Sequence, residues 1–189
     1  MRKIEREPRG SGMFRPGQDL VVAGTVGKAG VKTVLKEKRE VLSERFSEAF
    51  IERIQDCAEA PLAVTPDGLR EYGATEWEYI EEGGILAALW NLSGAYEQGI
   101  SFDLRKIPVD QELLEVCELF DLNPYRLMSG ECVVLAADNG GDIVAALETA
   151  GIPAAVIGKV ERGIARKMTG SGTTGYLERP QRDEVCKIR

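Results

Sequence analysis

Residues 78–90, "EYIEEGGILAALW", place two carboxylates, Glu81 and Glu82, directly before two glycines, Gly83 and Gly84, and an apolar run. Strand-like residues come before the glycines. After them, Ile85, Leu86, Leu89 and Leu92 recur at helical spacing and predict a helix from Gly84 to Tyr96. The free N–H groups at such a helix start can face an anion, and glycine lets a ligand approach the backbone closely. Glu81 and Glu82 oppose a free phosphate there unless a metal bridges them. They can equally well complement the positive end of the helix dipole with no ligand at all. On these residues alone both readings stand.

Two other glycine patterns carry less. "GTVGKAG" runs Gly24-x-x-Gly27-Lys28, with Ala29 next. A phosphate loop needs four residues between its glycines and a hydroxyl after its lysine, so this reads as a strand-to-helix turn. Gly170, Gly172 and Gly175 of "GSGTTG" match G-x-G-x-x-G, but "YLERPQRDE" follows with Pro180 close behind. No helix can start there to meet a pyrophosphate, and a flexible hairpin tip is the expectation. The chain has no histidine, which removes the commonest general base and metal ligand and every Ser-His or Cys-His pairing. Cys57, Cys117, Cys132 and Cys186 form no C-x-x-C pair. Cys117 and Cys132 lie in apolar runs, as core thiols do, which leaves Cys186 as the exception.

The elements that must hold these residues follow from pattern. Residues 1–16, charged and broken by Pro8, Gly10, Gly12 and Pro16, read as a flexible N-terminal arm, and 17–189 as one domain. "DLVVAGTV", "TEWEYI", "ISFDL", "ECVVLAA" and "IPAAVIGKV" read as strands, and "PLAV" as a short strand before a "TPDG" turn. Helices are expected over "KAGVKTVLKEK", over "ERFSEAFIERIQDCAEA" capped by Ser43, over "VDQELLEVCELFDL" capped near Asp110, and over "GDIVAALETAG" closed by Gly151. Strands and helices alternate without strict βαβ regularity, which predicts an α+β domain with helices on a mixed sheet. A net charge of −7 argues against a nucleic-acid partner. No apolar run reaches the roughly 20 residues needed to cross a bilayer, and a cytoplasmic protein is expected.

"RPGQDLVV", "EEGGILAALWNL", "DLRKIPV", "VCELFDLNPYRLMSG" and "AGIPAAVIGKV" follow one another in an order and spacing that resembles the AIR-synthase-related proteins. The likeness is nearest to the hydrogenase-maturation-factor branch, in which "NPY" and "AGIPAAVIG" are typical. It extends over about residues 15 to 185 and matches the C-terminal half of that family's two-domain architecture. The resemblance implies a PurM C-terminal-domain-like fold with partial ferredoxin-like topology. It also implies that ATP and magnesium belong to an N-terminal half, with no cofactor for this chain in isolation.

The chain departs from the family at positions that matter for chemistry. Where members carry His-Asp-x-Thr before Glu-Gly-Gly, this sequence has Glu78-Tyr79-Ile80-Glu81 before Glu82-Gly83-Gly84. The acidic residue that precedes a later glycine in the dehydratase branch is replaced by Ser129, before Gly130. The dehydratases end in a thiol-bearing cysteine, whereas here "DEVCKIR" puts Cys186 three residues from the end, in a tail similar to "DELYK". The resemblance therefore makes Glu81, Glu82, Gly83, Gly84, Asn123, Ser129 and Gly130 candidates for a ligand-facing surface, and assigns no catalytic residue or metal ligand. Trp77, Tyr79 and Ile80 stand where the family keeps polar groups and are candidates for an interface. The partners expected are a second copy of the chain or a separately encoded N-terminal ATP-binding half. The expected function is a non-catalytic ligand-binding or assembly module, the alternative being half of an ATP-dependent enzyme.

Overall fold

A computed structural model describes residues 7–59, 64–170 and 172–188. Seven strands form one mixed sheet: β1 (Asp19–Ala23), β2 (Ala74–Tyr79), β3 (Gly99–Asp103), β4 (Val133–Ala137), β5 (Ala154–Glu161), β6 (Arg166–Gly170) and β7 (Thr173–Tyr176). Their spatial order is β2-β4-β1-β5-β3-β6-β7. Every pairing is antiparallel except β3 with β6. Among the described residues seven α-helices accompany them: α1 (Lys28–Glu37), α2 (Arg39–Arg45), α3 (Glu48–Glu59), α4 (Pro66–Glu71), α5 (Gly84–Tyr96), α6 (Gln111–Leu119) and α7 (Gly140–Thr149). The α+β expectation with a mixed sheet holds.

The sheet is covered on both faces, which explains the unbroken apolar runs in its central strands. Leu20 and Val22 of β1 and Val134 and Ala136 of β4 face α5 through Ile85, Leu89 and Leu92. Val21 and Ala23, with Val133 and Leu135, face α7 and α4 through Ile143, Leu147 and Leu69. Successive strand side chains point to opposite faces, so a strand buried on both sides must be apolar at every position. A second core lies beside the sheet, where α1, α2, α3 and α6 enclose Val34, Leu42, Ile51, Ile54 and Leu113 with Val185 and Ile188 of the tail.

Three local expectations are corrected. Ser43 does not cap a helix: it lies inside α2, and its hydroxyl donates to the Arg39 carbonyl. Phe46 is extended and separates α2 from α3, and Ser47 caps α3 by accepting from the Phe50 N–H. "TPDG" is a helix start rather than a plain turn, because Thr65 Oγ1 accepts from the Gly68 N–H and Pro66 occupies the first helical position. Asp110 opens α6, but its carboxylate accepts from Thr25 Oγ1 at 2.9 Å instead of capping. Residues 61–63 of the expected "PLAV" strand lie outside the described residues.

The segment read as an arm is, from Arg9 to Phe14, laid along the β2 edge; residues 1–6 lie outside the described residues. Ser11 N–H donates to the Thr75 carbonyl at 2.8 Å. Arg9 N–H donates to Glu76 Oε1 at 3.0 Å, and its guanidinium meets Glu78 and covers the Tyr79 ring. Phe14 is buried against Tyr96. The organising group is Glu76, a fully buried carboxylate beside a β-bulge. It also accepts from the Trp77 N–H and from Tyr96 Oη at 2.6 Å. A buried carboxylate is tolerated where several donors surround it. The sequence pattern of prolines and glycines could not show that donors 67 residues away would be needed.

Candidate functional site

The structure gathers the sequence candidates around the start of α5. β2 ends at Tyr79, and the N–H of Ile80 just beyond it donates to the Cys132 carbonyl at 2.9 Å. Glu81 and Glu82 are exposed on the turn that follows. Gly83 and Gly84 both take left-handed backbone conformations, with φ of 83° and 68°. A Cβ on Gly84 would stand 2.5 Å from the Tyr125 carbonyl oxygen. Both positive φ and close backbone approach therefore require glycine here. The loop that presses on the turn is 123–130, which contains the other candidates. Asn123 Oδ1 accepts from the Tyr125 N–H and starts a 3₁₀ turn over Pro124–Arg126.

Ser129 fastens this arrangement. Its N–H donates to the Ile80 carbonyl at 2.8 Å, its Oγ accepts from the Gly27 N–H at 2.8 Å, and it donates to the Leu127 carbonyl at 3.3 Å. It is buried, whereas Gly130 beside it is exposed. The serine hydroxyl is committed to backbone on both sides, so its geometry is that of a joint rather than a nucleophile. Ser129 also draws in the Gly24–Gly27 turn, read from sequence as a plain strand-to-helix connection. That connection abuts the candidate surface.

The group nearest the free end of α5 comes from the chain's own tail. Gly83 N–H donates to Asp183 Oδ2 at 2.9 Å, and Val185 N–H donates to Oδ1 of the same carboxylate at 2.9 Å. Asp183 is 3% exposed. An acidic group at a helix N-terminus satisfies orphan N–H groups and complements the dipole. Here that role belongs to Asp183; Glu81 and Glu82 remain exposed. Glu184 follows, with Oε2 accepting from the Asn123 N–H at 3.4 Å and pairing with Lys187 at 2.5 Å. Sequence reasoning passed over both acids. The Asp-x-Val spacing that lets Asp183 cap its own 3₁₀ turn was the available signal.

The interface candidates are corrected. Trp77 is 1% exposed and packs with Leu69, Leu135 and Leu147, and Ile80 is wholly buried in the core around α5. Only Tyr79 is half-buried, beneath Arg9. Trp77, on β2, and Ile80, just beyond its end, enter the cores on opposite faces of the sheet, so both are core residues. Among the cysteines, burial pushes Cys117 and Cys132 up to about 12. Cys132 donates to the Thr25 carbonyl. Thiols so raised stay protonated and unreactive. Cys186 is exposed in the Glu184–Lys187 turn, between the anchored Val185 and Ile188. Among the described residues no cluster of His, Cys, Asp or Glu is placed to hold a metal ion. No helix among them is long and apolar enough to cross a membrane.

Two cavities flank the site. One, of about 260 Å³, lies against Gly83 and Leu86 and is bounded by Arg126, Met168, Tyr176 and Arg179. The other, of about 490 Å³, lies on the Ser129–Cys132 side beneath the first turns of α1.

Comparison with known proteins agrees with this architecture. The sequence is 29% identical over 152 residues to the carbamoyl dehydratase HypE of Rhizobium leguminosarum bv. viciae, covering 77% of this chain and 41% of that protein. The fold matches E. coli HypE, a hydrogenase maturation protein, with a TM-score of 0.70 at 23% identity, covering 95% of this chain and 55% of that one. Thiamine-monophosphate kinase from Stenotrophomonas maltophilia K279a matches with a TM-score of 0.66 at 19% identity, covering 89% and 54%. The chain thus spans about half the length of these relatives. Residues 15–168 match the family model described as AIR synthase related protein, C-terminal domain, and the chain belongs to that family.

Proposed function

We propose that this chain works as a non-catalytic ligand-binding or assembly module related to the hydrogenase maturation factors. The observation that carries the reading is the Asp183 carboxylate on the Gly83 N–H, because a carboxylate of the chain itself already stands at the helix start that would receive an anion. The side chains before it, Glu78 to Glu82, supply neither histidine nor aspartate. Shape is kept at this surface, and acid–base chemistry is not. Cytoplasmic location, and association with a second copy, are parts of the same reading.

Titration calorimetry with magnesium-ATP tests it. The expected outcome is no saturable heat in the micromolar range and no phosphate release on prolonged incubation. A dissociation constant near 1 μM, equivalent to about −8 kcal/mol, overturns the reading.

The alternative is half of an ATP-dependent enzyme that a separately encoded N-terminal half completes. It is favoured by the coverage of 41% of the carbamoyl dehydratase. Mixing the chain with the N-terminal half of a HypE-like protein distinguishes the two, since only the enzyme reading expects ATP turnover that requires both pieces.

A further inference from the structure

The 490 Å³ cavity is bounded by α1, the end of α3, residues 129–132 and the Gly151–Pro153 turn. Its size falls within the about 300–1,000 Å³ typical of small-molecule sites and exceeds what a bare inorganic ion fills. Lys28 and Lys32, one turn apart on α1, both line it. Neither forms an ion pair among the described residues, although the chain carries 31 acidic residues. Lys28 is half-buried, and its charge is felt at the Cys132 thiol in the cavity wall, where it works against burial and against the charges of Asp110 and Glu131.

Two like charges four residues apart repel. An anionic group between the two lysines relieves that repulsion. The rest of the wall limits the ligand further. Ala58, Ile152 and Pro153 offer apolar surface, while Glu59 and Glu131 stand on the same lining. The exposed Glu59 carboxylate disfavours an extended polyanion and suits a ligand whose body is neutral or cationic.

We infer that this cavity binds a small metabolite with a single anionic head, phosphate or carboxylate, held by Lys28 and Lys32, and a neutral or cationic organic body beside Glu59. The inference rests on the ligand-binding part of the function proposed above.

The test is an amide NMR titration of the whole chain with O-phosphoethanolamine, run beside inorganic phosphate and γ-aminobutyrate at constant ionic strength. The expected result is saturating shifts at Lys28, Ala29 and Gly130, at least tenfold tighter for phosphoethanolamine than for inorganic phosphate. A Lys28→Gln, Lys32→Gln variant with unchanged melting temperature should weaken binding at least tenfold. Saturation by γ-aminobutyrate in its place would assign the head as a carboxylate and support the same site. Equal titration of wild type and variant, or shifts that rise linearly without saturating, overturns the inference. Saturating shifts confined to Gly83, Gly84 and Asp183 also overturn it, yet leave the ligand-binding module intact at a different surface. If the variant melts early, Glu59→Gln keeps the question open to measurement: it should weaken phosphoethanolamine binding and leave phosphate unchanged, and no effect on either counts against the site.

Discussion

Gly84 and Gly151 separate two ways in which glycine matters. Both have positive φ, 68° and 76°. A Cβ on Gly84 would collide with the Tyr125 carbonyl and the Arg126 backbone, whereas one on Gly151 would meet nothing within 4 Å. Gly151→Ala should therefore cost about 1 kcal/mol, the strain of a left-handed alanine alone. Gly84→Ala should cost clearly more, about 3 kcal/mol, because backbone must also move in a packed site. Urea unfolding of the two variants checks this, and equal losses would mean that the 123–126 loop yields to the turn freely. The double glycine was legible in the sequence as a turn. Its collision partner was not, because Tyr125 reaches it only through the fold.

The first strand and the last helix are joined by one carboxylate. Asp19, opening β1, accepts from the Gly140 N–H at the start of α7 at 3.0 Å and from Lys159 Nζ on β5 at 2.6 Å. Burial works against its charged form, but the hydrogen bonds from Lys159 and Gly140 outweigh it and hold the carboxyl below its ordinary value of 3.8. A group whose folded pKa is depressed adds stability above its unfolded pKa and loses it as pH falls through the folded one. Asp19→Asn should thus lower stability by about 1 kcal/mol at pH 7. The gap should close as pH drops from about 4 toward the depressed value, as thermal melts of both proteins across that range would record. A gap that persists at pH 2 would show that the asparagine disturbs packing instead of charge. Element types were readable here from the apolar runs of β1 and β5 and the helical spacing of α7. Their joint was not, since 121 residues separate Asp19 from Gly140.

The two edges of the sheet differ. On the β2 side, Ser11 is hydrogen-bonded to Thr75 and Glu76 holds Arg9, so further strand addition there is obstructed. On the other side β7 ends the sheet, and Tyr176 stands 67% exposed beside the cavity at Gly83. An exposed edge with a large aromatic is a natural contact surface. With Trp77 and Ile80 in the core, association at this face should run through Tyr176. In sedimentation velocity at tens of micromolar, wild type should form a dimer and Tyr176→Glu a monomer of unchanged fold. A wild-type monomer, or a dimer that Tyr176→Glu leaves intact, refutes this contact. Trp77→Glu offers no such test, since it would place a charge in the core and unfold the protein.

Periodicity and local chemistry were enough to place α5 at Gly84–Tyr96, the order of β1 to β5 along the chain, and a mixed layered fold; β6 and β7, short and largely polar, were read only as a hairpin tip. Each depends on interactions between near neighbours, which a linear pattern records. The resemblance motifs narrowed the candidate surface to Glu81–Gly84, Asn123 and Ser129–Gly130. The bonds that define what this surface is join residues far apart: Gly83 to Asp183 across 100 positions, and Gly27 to Ser129 across 102. A buried N–H must find an acceptor, but only the folded chain determines which one lies within 3 Å. That choice set the protein's own Asp183 carboxylate at a helix start that the sequence leaves open to an anion.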